Sequence, residues 1–504
     1  MTDNKPHFWG TPYVALPLLL VLAFAVRFSY FYTPTIGWDE STFILFGQHI
    51  LNGGLPYVDY FDIKPPLLFY FFAGAIKLFG ATIPAVRVAG ALCVFLAASA
   101  CYFLGRHMWG KAAGLFAGIL CISGMSVGNG MAVLSETVAV APLMACAYLV
   151  IAWNRRGWAM FLAGALMGAA VLIRSNLAYT CLLSAPAILY LLYKNGSRLF
   201  GGALAYALGG IVVLLAALYP FYARDALMDV YRATVLAPMV STGGGLSLRG
   251  LGGLISSWNA GWGILMVLSV CGIYLCLTQV RQVSPRSRSA LIFIFSVIVA
   301  TIASIVEGKT IHGHYLLQII PMLSLFGGYS LYYLYENCGN LHVLVYALCL
   351  YITLLPLCPM RATAMQLIQV ARGLDSDYSV VRSGESRTAA YIKEHLPEGR
   401  KIWVMDNHII YWFLSMSPPS KYVLHPSLIA LPDEITAASR GETSNVTAAE
   451  DIFRQRPYFI VRSTANWYVV DGTLVGDLIN ASMKRMYKKV VQFGDLIVYR
   501  IVDG

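Results

Sequence analysis

Long apolar stretches separated by short polar loops occupy the first 360 residues of the chain. A helix that crosses a bilayer needs about 20 consecutive apolar residues. Eleven stretches approach this length, and no internal repeat relates them. We predict membrane-spanning helices at 12–32, 85–104, 112–127, 137–153, 158–173, 177–193, 201–222, 261–278, 290–306, 315–335 and 341–358.

Charged residues become frequent only after residue 360. Of the 504 residues, 58% are hydrophobic and 12% are charged, whereas soluble domains carry about 25% charged residues. The part beyond residue 360 nevertheless holds 15 of the 25 acidic residues and 17 of the 36 lysines and arginines. We therefore predict a polytopic α-helical membrane domain at 1–360 and a soluble α/β domain at 361–504.

Alternating helix and strand patterns predict the α/β character of the last domain. We expect a helix at 386–396, buried strands at 401–406 and 458–463, and a closing strand at 495–502. Thr447 and Glu450 have the spacing of a capping box at the start of another helix. The domain contains no nucleophile elbow, P-loop or metal signature.

The distribution of positive charge predicts the orientation in the membrane. Basic residues gather in alternate short loops, which places those loops in the cytoplasm. The loops in question contain Arg106 and Lys111, Arg155 and Arg156, Lys194 and Arg198, and Arg281, Arg286 and Arg288. The opposite, outer face then receives 37–68, 128–136, 224–258, 312–315 and the whole tail. The net charge of +11 is thereby explained without a nucleic-acid partner.

The stretch 37–68 is unusual because four of the ten acidic residues that precede Arg361 lie in it. Charge beside a bilayer is costly unless it has a partner or a function. The stretch is therefore either a solvated loop or a membrane-surface active site. Residues 48–79 are too polar and proline-broken to span, and we expect them to lie along the outer surface as short amphipathic helices, with Tyr57, Tyr60, Phe61 and Phe69 at headgroup depth.

Two further features of the chain have structural interpretations. The sequence STGGG at 241–245 is either a gate or a plain flexible connector. All ten cysteines lie at or before Cys358, mostly within apolar runs. They are expected to be small packing residues, and they provide neither a disulfide framework nor a metal site.

Several outward motifs resemble those of the GT-C glycosyltransferases. These motifs are the Asp39–Glu40 pair, PYVDYFDIKPPL at 56–67, Glu136 in LSET, Arg174, and HGHY at 312–315. The resemblance is nearest to the branch of the protein O-mannosyltransferases and the lipid A aminoarabinose transferase. It implies a GT-C fold and inverting transfer of a sugar from a polyprenyl phosphate to an acceptor on the outer face.

The resemblance also implies roles for three residues of the first outer loop. Asp39 matches the base that takes the proton of the acceptor hydroxyl, and Glu40 orients sugar or acceptor. Lys64 matches the cation that stabilises the leaving phosphate. The structural alternatives are a helix cap for Glu40 and a snorkelling side chain for Lys64.

The remaining candidates would surround the donor and the acceptor. Glu136 is assigned to catalysis, although an acid at a helix start also favours the helix dipole. Arg174 is a second candidate cation whose alternative is an interface anchor. The other candidate substrate-binding residues are Arg87, Tyr57, Asp62, His314 and Tyr315; for the histidine and the tyrosine beside it, interface anchoring is the alternative.

We thus expect a glycosyltransferase of the bacterial inner membrane with its site and tail in the periplasm. The acceptor would be a cell-envelope glycan or lipid of the lipopolysaccharide kind, or, as a variant, a protein. No cofactor is required, and no metal is predicted because Lys and Arg can supply the positive charge; a divalent ion bound by Asp or Glu is the alternative. A secondary transporter is the alternative from another class, but transporters hold their ions near the midplane.

Overall fold

The computed structural model describes residues 10–33, 36–242, 262–279, 285–306, 312–337, 342–354, 368, 383–422, 426–430 and 432–502. The chain divides into two compact units. The first unit comprises Met1–Phe31, Arg87–Ala217 and Gly244–Ala364. The second comprises Tyr32–Val86, Leu218–Gly243 and Met365–Gly504.

Apolar helices make up most of the described residues before 360. They are α1 Pro12–Arg27, α2 Trp38–Leu51, α3 Pro66–Phe79, α4 Ile83–Trp109, α5 Lys111–Gly124, α6 Ser135–Trp153, α7 Gly157–Ile173, α8 Leu177–Lys194, α9 Leu199–Tyr222, α10 Leu227–Tyr231, α11 Ala237–Thr242, α12 Gly263–Gln279, α13 Pro285–Val306, α14 Ile320–Asn337 and α15 His342–Leu354. Short 3-10 turns at Phe28–Tyr32, Gly128–Met131 and Gly313–Gln318 connect some of them.

Each of the eleven predicted spans overlaps one of these helices. Six helices in the described ranges are long and apolar enough to cross a membrane, namely α1, α4, α6, α8, α9 and α13. Others are shorter: α5 has 14 residues, which rise only about 21 Å against a hydrocarbon core of about 30 Å. The chain is a multi-pass membrane protein, and the number of eleven crossings stays a prediction.

Small residues let the helices of the first unit approach closely. A side chain at Gly164 of α7 would meet the backbone of Tyr206 on α9, and one at Gly209 of α9 would meet the carbonyl of Phe161. Such small-residue contacts are typical of helix packing in membranes, where van der Waals contact drives association. Glycine at these two positions therefore fixes how α7 and α9 pack.

The second unit begins with the packed helices α2 and α3. The rings of Phe46 and Phe69 stack with centroids 4.1 Å apart, and a Cβ at Gly47 would lie 2.9 Å from the backbone nitrogen of Ala73. The close approach at Gly47 brings the two aromatic rings into contact. The polar loop 52–65 connects these two helices.

A four-stranded sheet with helices lies in the C-terminal part of the second unit. Its elements are α16 Gly384–His395, β1 Ile402–Val404, α17 Ile409–Leu414, α18 Pro426–Ala430, α19 Pro432–Ala438, α20 Asn445–Arg454, β2 Phe459–Ser463, α21 Leu474–Met486, β3 Tyr487–Phe493 and β4 Leu496–Ile501. The strand order is β1-β2-β4-β3, with β1 parallel to β2 and the other pairs antiparallel. Gly494, with φ 59°, forms the tight turn between β3 and β4.

Several sequence expectations need correction here. The aromatic residues expected at headgroup depth are instead buried, with Tyr57 2%, Tyr60 6%, Phe61 3% and Phe69 0% exposed. The rings pack against protein, for example Tyr57 against Phe221. The helix expected to start at Thr447 begins at Asn445, because Ser444 is its N-cap and accepts from the Thr447 N–H.

Some expectations fall outside the described residues. The boundary near residue 361, Arg281, and 243–245 of the STGGG sequence lie there. The division into a membrane domain at 1–360 and a soluble domain at 361–504 stays a prediction.

Candidate active site

Asp39 and Glu40 lie in the first turn of α2. In the first turn, the positive end of the helix dipole stabilises the negative charge of the two carboxylates. Glu40 is 1% exposed, whereas Asp39 is partly exposed. Because Gly37 is the N-cap and α2 starts at Trp38, Glu40 lies inside the first turn and is not the cap of this helix. The turn thus presents one accessible and one buried carboxylate.

Tyr57, Asp62 and Lys64 form one hydrogen-bonded loop ahead of α3. The Tyr57 hydroxyl donates to the Lys64 carbonyl at 2.6 Å, and the Lys64 N–H donates to Asp62 Oδ1 at 2.9 Å. Burial raises the pKa of Tyr57, and the nearby Asp62 charge adds to the effect, so the hydroxyl stays protonated and able to donate. Pro65 and Pro66 follow directly, and Pro66 begins the helix. The Lys64 backbone is therefore fixed from both sides.

Asp59 ties the same loop to the end of α2. Its Oδ2 lies 2.9 Å from His49 Nε2 and accepts from the Leu55 N–H at 2.8 Å. Burial raises the pKa of Asp59, but the hydrogen bonds from Leu55 and His49 outweigh it and lower the pKa below the ordinary value. This carboxylate has a structural task in the loop.

Glu136 and Arg174 form a buried ion pair in the first unit. Glu136 opens α6 and Arg174 follows the last turn of α7. Arg174 Nη1 lies 2.9 Å from Glu136 Oε1 and donates to Ser135 Oγ at 2.8 Å, while Ser135 Oγ donates to Glu136 Oε2 at 3.0 Å. The Arg174 side chain is 9% exposed and the Glu136 side chain is 1% exposed. The two charges therefore compensate each other in a buried environment.

His314 and Tyr315 complete this cluster. His314 Nε2 lies 3.6 Å from Glu136 Oε1, and the Arg174 guanidinium lies 4.6 Å from the centre of the Tyr315 ring, a cation–π distance. The His312 and His314 rings stack at 5.4 Å. The HGHY sequence thus contacts both members of the ion pair.

Two buried arginines hold the segment that leads into α6. Arg27 donates to the carbonyls of Met125, Gly130 and Met131 at 3.2, 2.8 and 2.9 Å. Arg87 donates to the Met131 carbonyl at 3.3 Å. Sequence reasoning missed Arg27, which lies inside the first predicted span. The signal was present, since an arginine within a span is costly and usually has a partner.

The predicted site residues are thus distributed over the two units. Glu136, Arg174, His314 and Tyr315 meet in the first unit, which also contains Arg87. The second unit contains Asp39, Glu40, Tyr57, Asp62 and Lys64. Within the described ranges, no three His, Cys, Asp or Glu side chains form a group that could hold a metal ion.

The chain is similar to one family model and to solved structures of low sequence identity. Residues 63–222 match the family model described as dolichyl-phosphate-mannose-protein mannosyltransferase, and no curated protein matches the chain. The crystal structure of ArnT from Cupriavidus metallidurans bound to undecaprenyl phosphate is 18% identical, with a TM-score of 0.61, and covers 98% of this chain and 99% of that one. The archaeal oligosaccharyltransferase AglB from Archaeoglobus fulgidus is 12% identical, with a TM-score of 0.53 and coverages of 99% and 75%.

These similarities confirm the resemblance to the GT-C glycosyltransferases at the level of the fold. The family model covers the loop from Ile63 through α9, which includes Lys64, Glu136 and Arg174 but not the Asp39–Glu40 pair. The chain therefore has the GT-C fold.

Proposed function

We propose that this chain, which has the GT-C fold, is an inverting glycosyltransferase. It would move a sugar from a polyprenyl-phosphate donor to a cell-envelope glycan or lipid, of the lipopolysaccharide kind, on the outer face of the inner membrane. The observation that carries the proposal is the pair of features in the second unit: an accessible carboxylate in the first turn of α2 and a lysine whose backbone is fixed ahead of α3. The ArnT structure similar to this chain is described as bound to undecaprenyl phosphate.

The proposed chemistry assigns one step to each of these residues. The acceptor hydroxyl oxygen attacks the anomeric carbon, and Asp39 takes the proton from that hydroxyl as the new bond forms. The bond between the anomeric carbon and the phosphate oxygen breaks on the opposite face, and its electron pair stays on the phosphate. Lys64 stabilises this growing negative charge and so lowers the barrier.

The residues of the first unit have supporting assignments in this proposal. Glu136 would contact the sugar or the acceptor, with its orientation held by Arg174 and Ser135. Because Glu136 compensates the charge of Arg174, we give the larger share of phosphate stabilisation to Lys64. His314 and Tyr315, which contact the ion pair, would bind substrate beside Glu136.

A protein acceptor is the second candidate. It is favoured by the description of the matching family model, which names a protein mannosyltransferase. Mass spectrometry of envelope glycans and of periplasmic proteins from a deletion strain separates the two. A glycan or lipid that lacks one sugar supports the first candidate, whereas loss of a sugar from a protein supports the second.

Substitution of Asp39 in the purified protein tests the activity. Asp39→Asn keeps the shape of the side chain but removes the base, and general-base catalysis contributes about 10²–10⁴-fold. We expect sugar transfer to fall by that factor while the binding of undecaprenyl phosphate is unchanged. Asp229→Asn, in the same unit, is the matched control and should transfer at the wild-type rate.

Two results would contradict the proposal. If Asp39→Asn transfers sugar as fast as the control, the carboxylate is not the base. If the wild-type protein moves a solute across vesicle membranes and transfers no sugar from any polyprenyl-phosphate donor, the chain is a transporter.

A further inference from the structure

The start of α2, which carries Asp39 and Glu40, is hydrogen-bonded to the part of the second unit after residue 400, here called the C-terminal segment. Thr42 lies one helical turn after Asp39, and its Oγ1 is 3.0 Å from Nδ1 of His408. Both residues are 0% exposed, and 366 positions of sequence separate them. A hydrogen bond between two fully buried groups is costly to break, because each group would lose its partner away from water.

A second contact reaches the residue that directly precedes Asp39. The indole rings of Trp38 and Trp467 stack with centroids 5.4 Å apart and an interplanar angle of 27°. Trp38 is also the first residue of α2, and its carbonyl accepts hydrogen bonds from the hydroxyls of Ser41 and Thr42. The beginning of the helix is therefore held on two sides by residues from beyond position 400.

A third contact reaches the loop that ends in Lys64. The Phe61 N–H donates to the Lys421 carbonyl at 2.9 Å, and the rings of Phe61 and Tyr422 lie 5.7 Å apart. Phe61 directly precedes Asp62, whose carboxylate accepts from the Lys64 N–H. The C-terminal segment thus contacts both parts of the motif assigned to catalysis.

His408 lies in a hydrogen-bonded turn after β1. It follows β1 and precedes α17, and its N–H donates to the Asp406 carbonyl at 3.0 Å. The Asp406 side chain accepts from the next N–H, that of Asn407, at 2.9 Å. Just before this turn, the Met405 N–H extends the pairing of β1 with β2 by donating to Val461. A chain of short contacts therefore runs from the sheet through His408 to Thr42.

We propose that the C-terminal segment positions the carboxylate turn for transfer: His408 through Thr42, and Trp467 through Trp38, fix the first turn of α2 that presents Asp39. The inference rests on the proposed function, in which Asp39 is the base. His408 and Trp467 are positioning residues, since they act through Thr42 and Trp38. A displacement of about 1 Å in a catalytic group can cost about 10²-fold in rate, so loss of either contact reduces turnover.

The test compares paired variants in the full-length protein. Thr42→Val removes the hydroxyl at nearly constant volume, and Thr42→Ser retains it. His408→Ala removes the partner, and His408→Asn keeps a polar atom near the position of Nδ1. His395→Ala, at an exposed histidine of α16, is the matched control.

We expect a specific pattern of kinetic constants. Thr42→Val and His408→Ala lower kcat by about 10–100-fold and leave the donor KM within twofold of the wild type. Thr42→Ser, His408→Asn and the control stay within about threefold of wild-type kcat. Trp467→Ala lowers kcat more than Trp467→Phe, which retains an aromatic ring for stacking.

Hydrogen exchange of the backbone amides in 41–46 provides a readout that does not depend on activity. Thr42→Val and His408→Ala should exchange faster there than their conservative partners. Wild-type kcat together with wild-type exchange in both variants would overturn the positioning role. So would a kcat loss that merely follows the fraction of unfolded protein in thermal unfolding. If the wild type itself transfers no sugar, the proposed function fails, and hydrogen exchange alone then decides whether His408 anchors the turn.

Discussion

Removal of Arg174 from its ion pair with Glu136 should destabilise the protein strongly. The substitution Arg174→Met keeps a long side chain but leaves a carboxylate with 1% exposure without its cation at 2.9 Å. Breaking a buried pair from one side costs about 3–5 kcal/mol, because the remaining charge is buried and uncompensated. Removing both charges, as in the double variant Glu136→Gln with Arg174→Met, should restore most of this loss.

The expected shift in melting temperature follows from the size of the chain. Unfolding entropy is about 2.1 cal/mol/K per residue, so 504 residues give about 1 kcal/mol/K. A cost of about 3–5 kcal/mol therefore lowers the Tm of Arg174→Met by about 3–5 °C. Differential scanning fluorimetry of the purified protein in detergent measures this shift and the recovery in the double variant.

An exposed ion pair supplies the control for this experiment. Arg454 lies 2.8 Å from Asp451, with its side chain 71% exposed, and exposed pairs contribute about 0–1 kcal/mol. Arg454→Met should therefore change Tm by about 1 °C or less. The reasoning is refuted if Arg174→Met changes Tm as little as this control, or if the double variant is no more stable than Arg174→Met alone.

Two further predictions concern single groups. Tyr57→Phe removes the hydrogen bond to the Lys64 carbonyl. Because such a bond contributes about 1 kcal/mol net, the binding of undecaprenyl phosphate should weaken about fivefold. An unchanged Kd in titration calorimetry would contradict this prediction. Burial raises the pKa of Asp406 to about 6 from 3.8, so its protonated form stabilises the fold below pH 4 and that contribution disappears as the pH rises through 6. The folding free energy lost is about 3 kcal/mol. Asp406→Asn should remove this part of the pH dependence of stability in thermal unfolding from pH 4 to 8. The same pH dependence in both proteins would contradict this prediction.

Apolar periodicity predicted the helices well because it is a local property. It failed for β3, whose sequence YKKVVQF carries exposed Lys488, Lys489 and Gln492. The strand lies at the edge of the sheet, beside β4 only, and edge strands commonly carry lysine on their exposed side. The strand therefore lacks the buried apolar run that identified β2.

Motif spacing located the candidate residues but not their partners. The motif predicts substrate contacts for Tyr57 and Asp62, and the structure shows the Tyr57 hydroxyl and the Asp62 carboxylate hydrogen-bonded to the backbone of Lys64. The partners of Glu136 and Thr42 lie 38 and 366 positions further along the chain. Such pairs depend on tertiary packing, and a single sequence carries no local signal for them.

Single-turnover transfer at saturating donor tests the central claim most directly, with Asp39→Asn and Lys64→Ala compared in the same preparation. We predict that Asp39→Asn binds the polyprenyl-phosphate sugar like the wild type and transfers at least 100-fold more slowly. Lys64→Ala should lose both donor affinity and rate, while Lys77→Ala, at an exposed lysine of α3, changes neither. Sugar transfer by Asp39→Asn at the wild-type rate, or donor binding and transfer by Lys64→Ala equal to those of Lys77→Ala, would contradict the account.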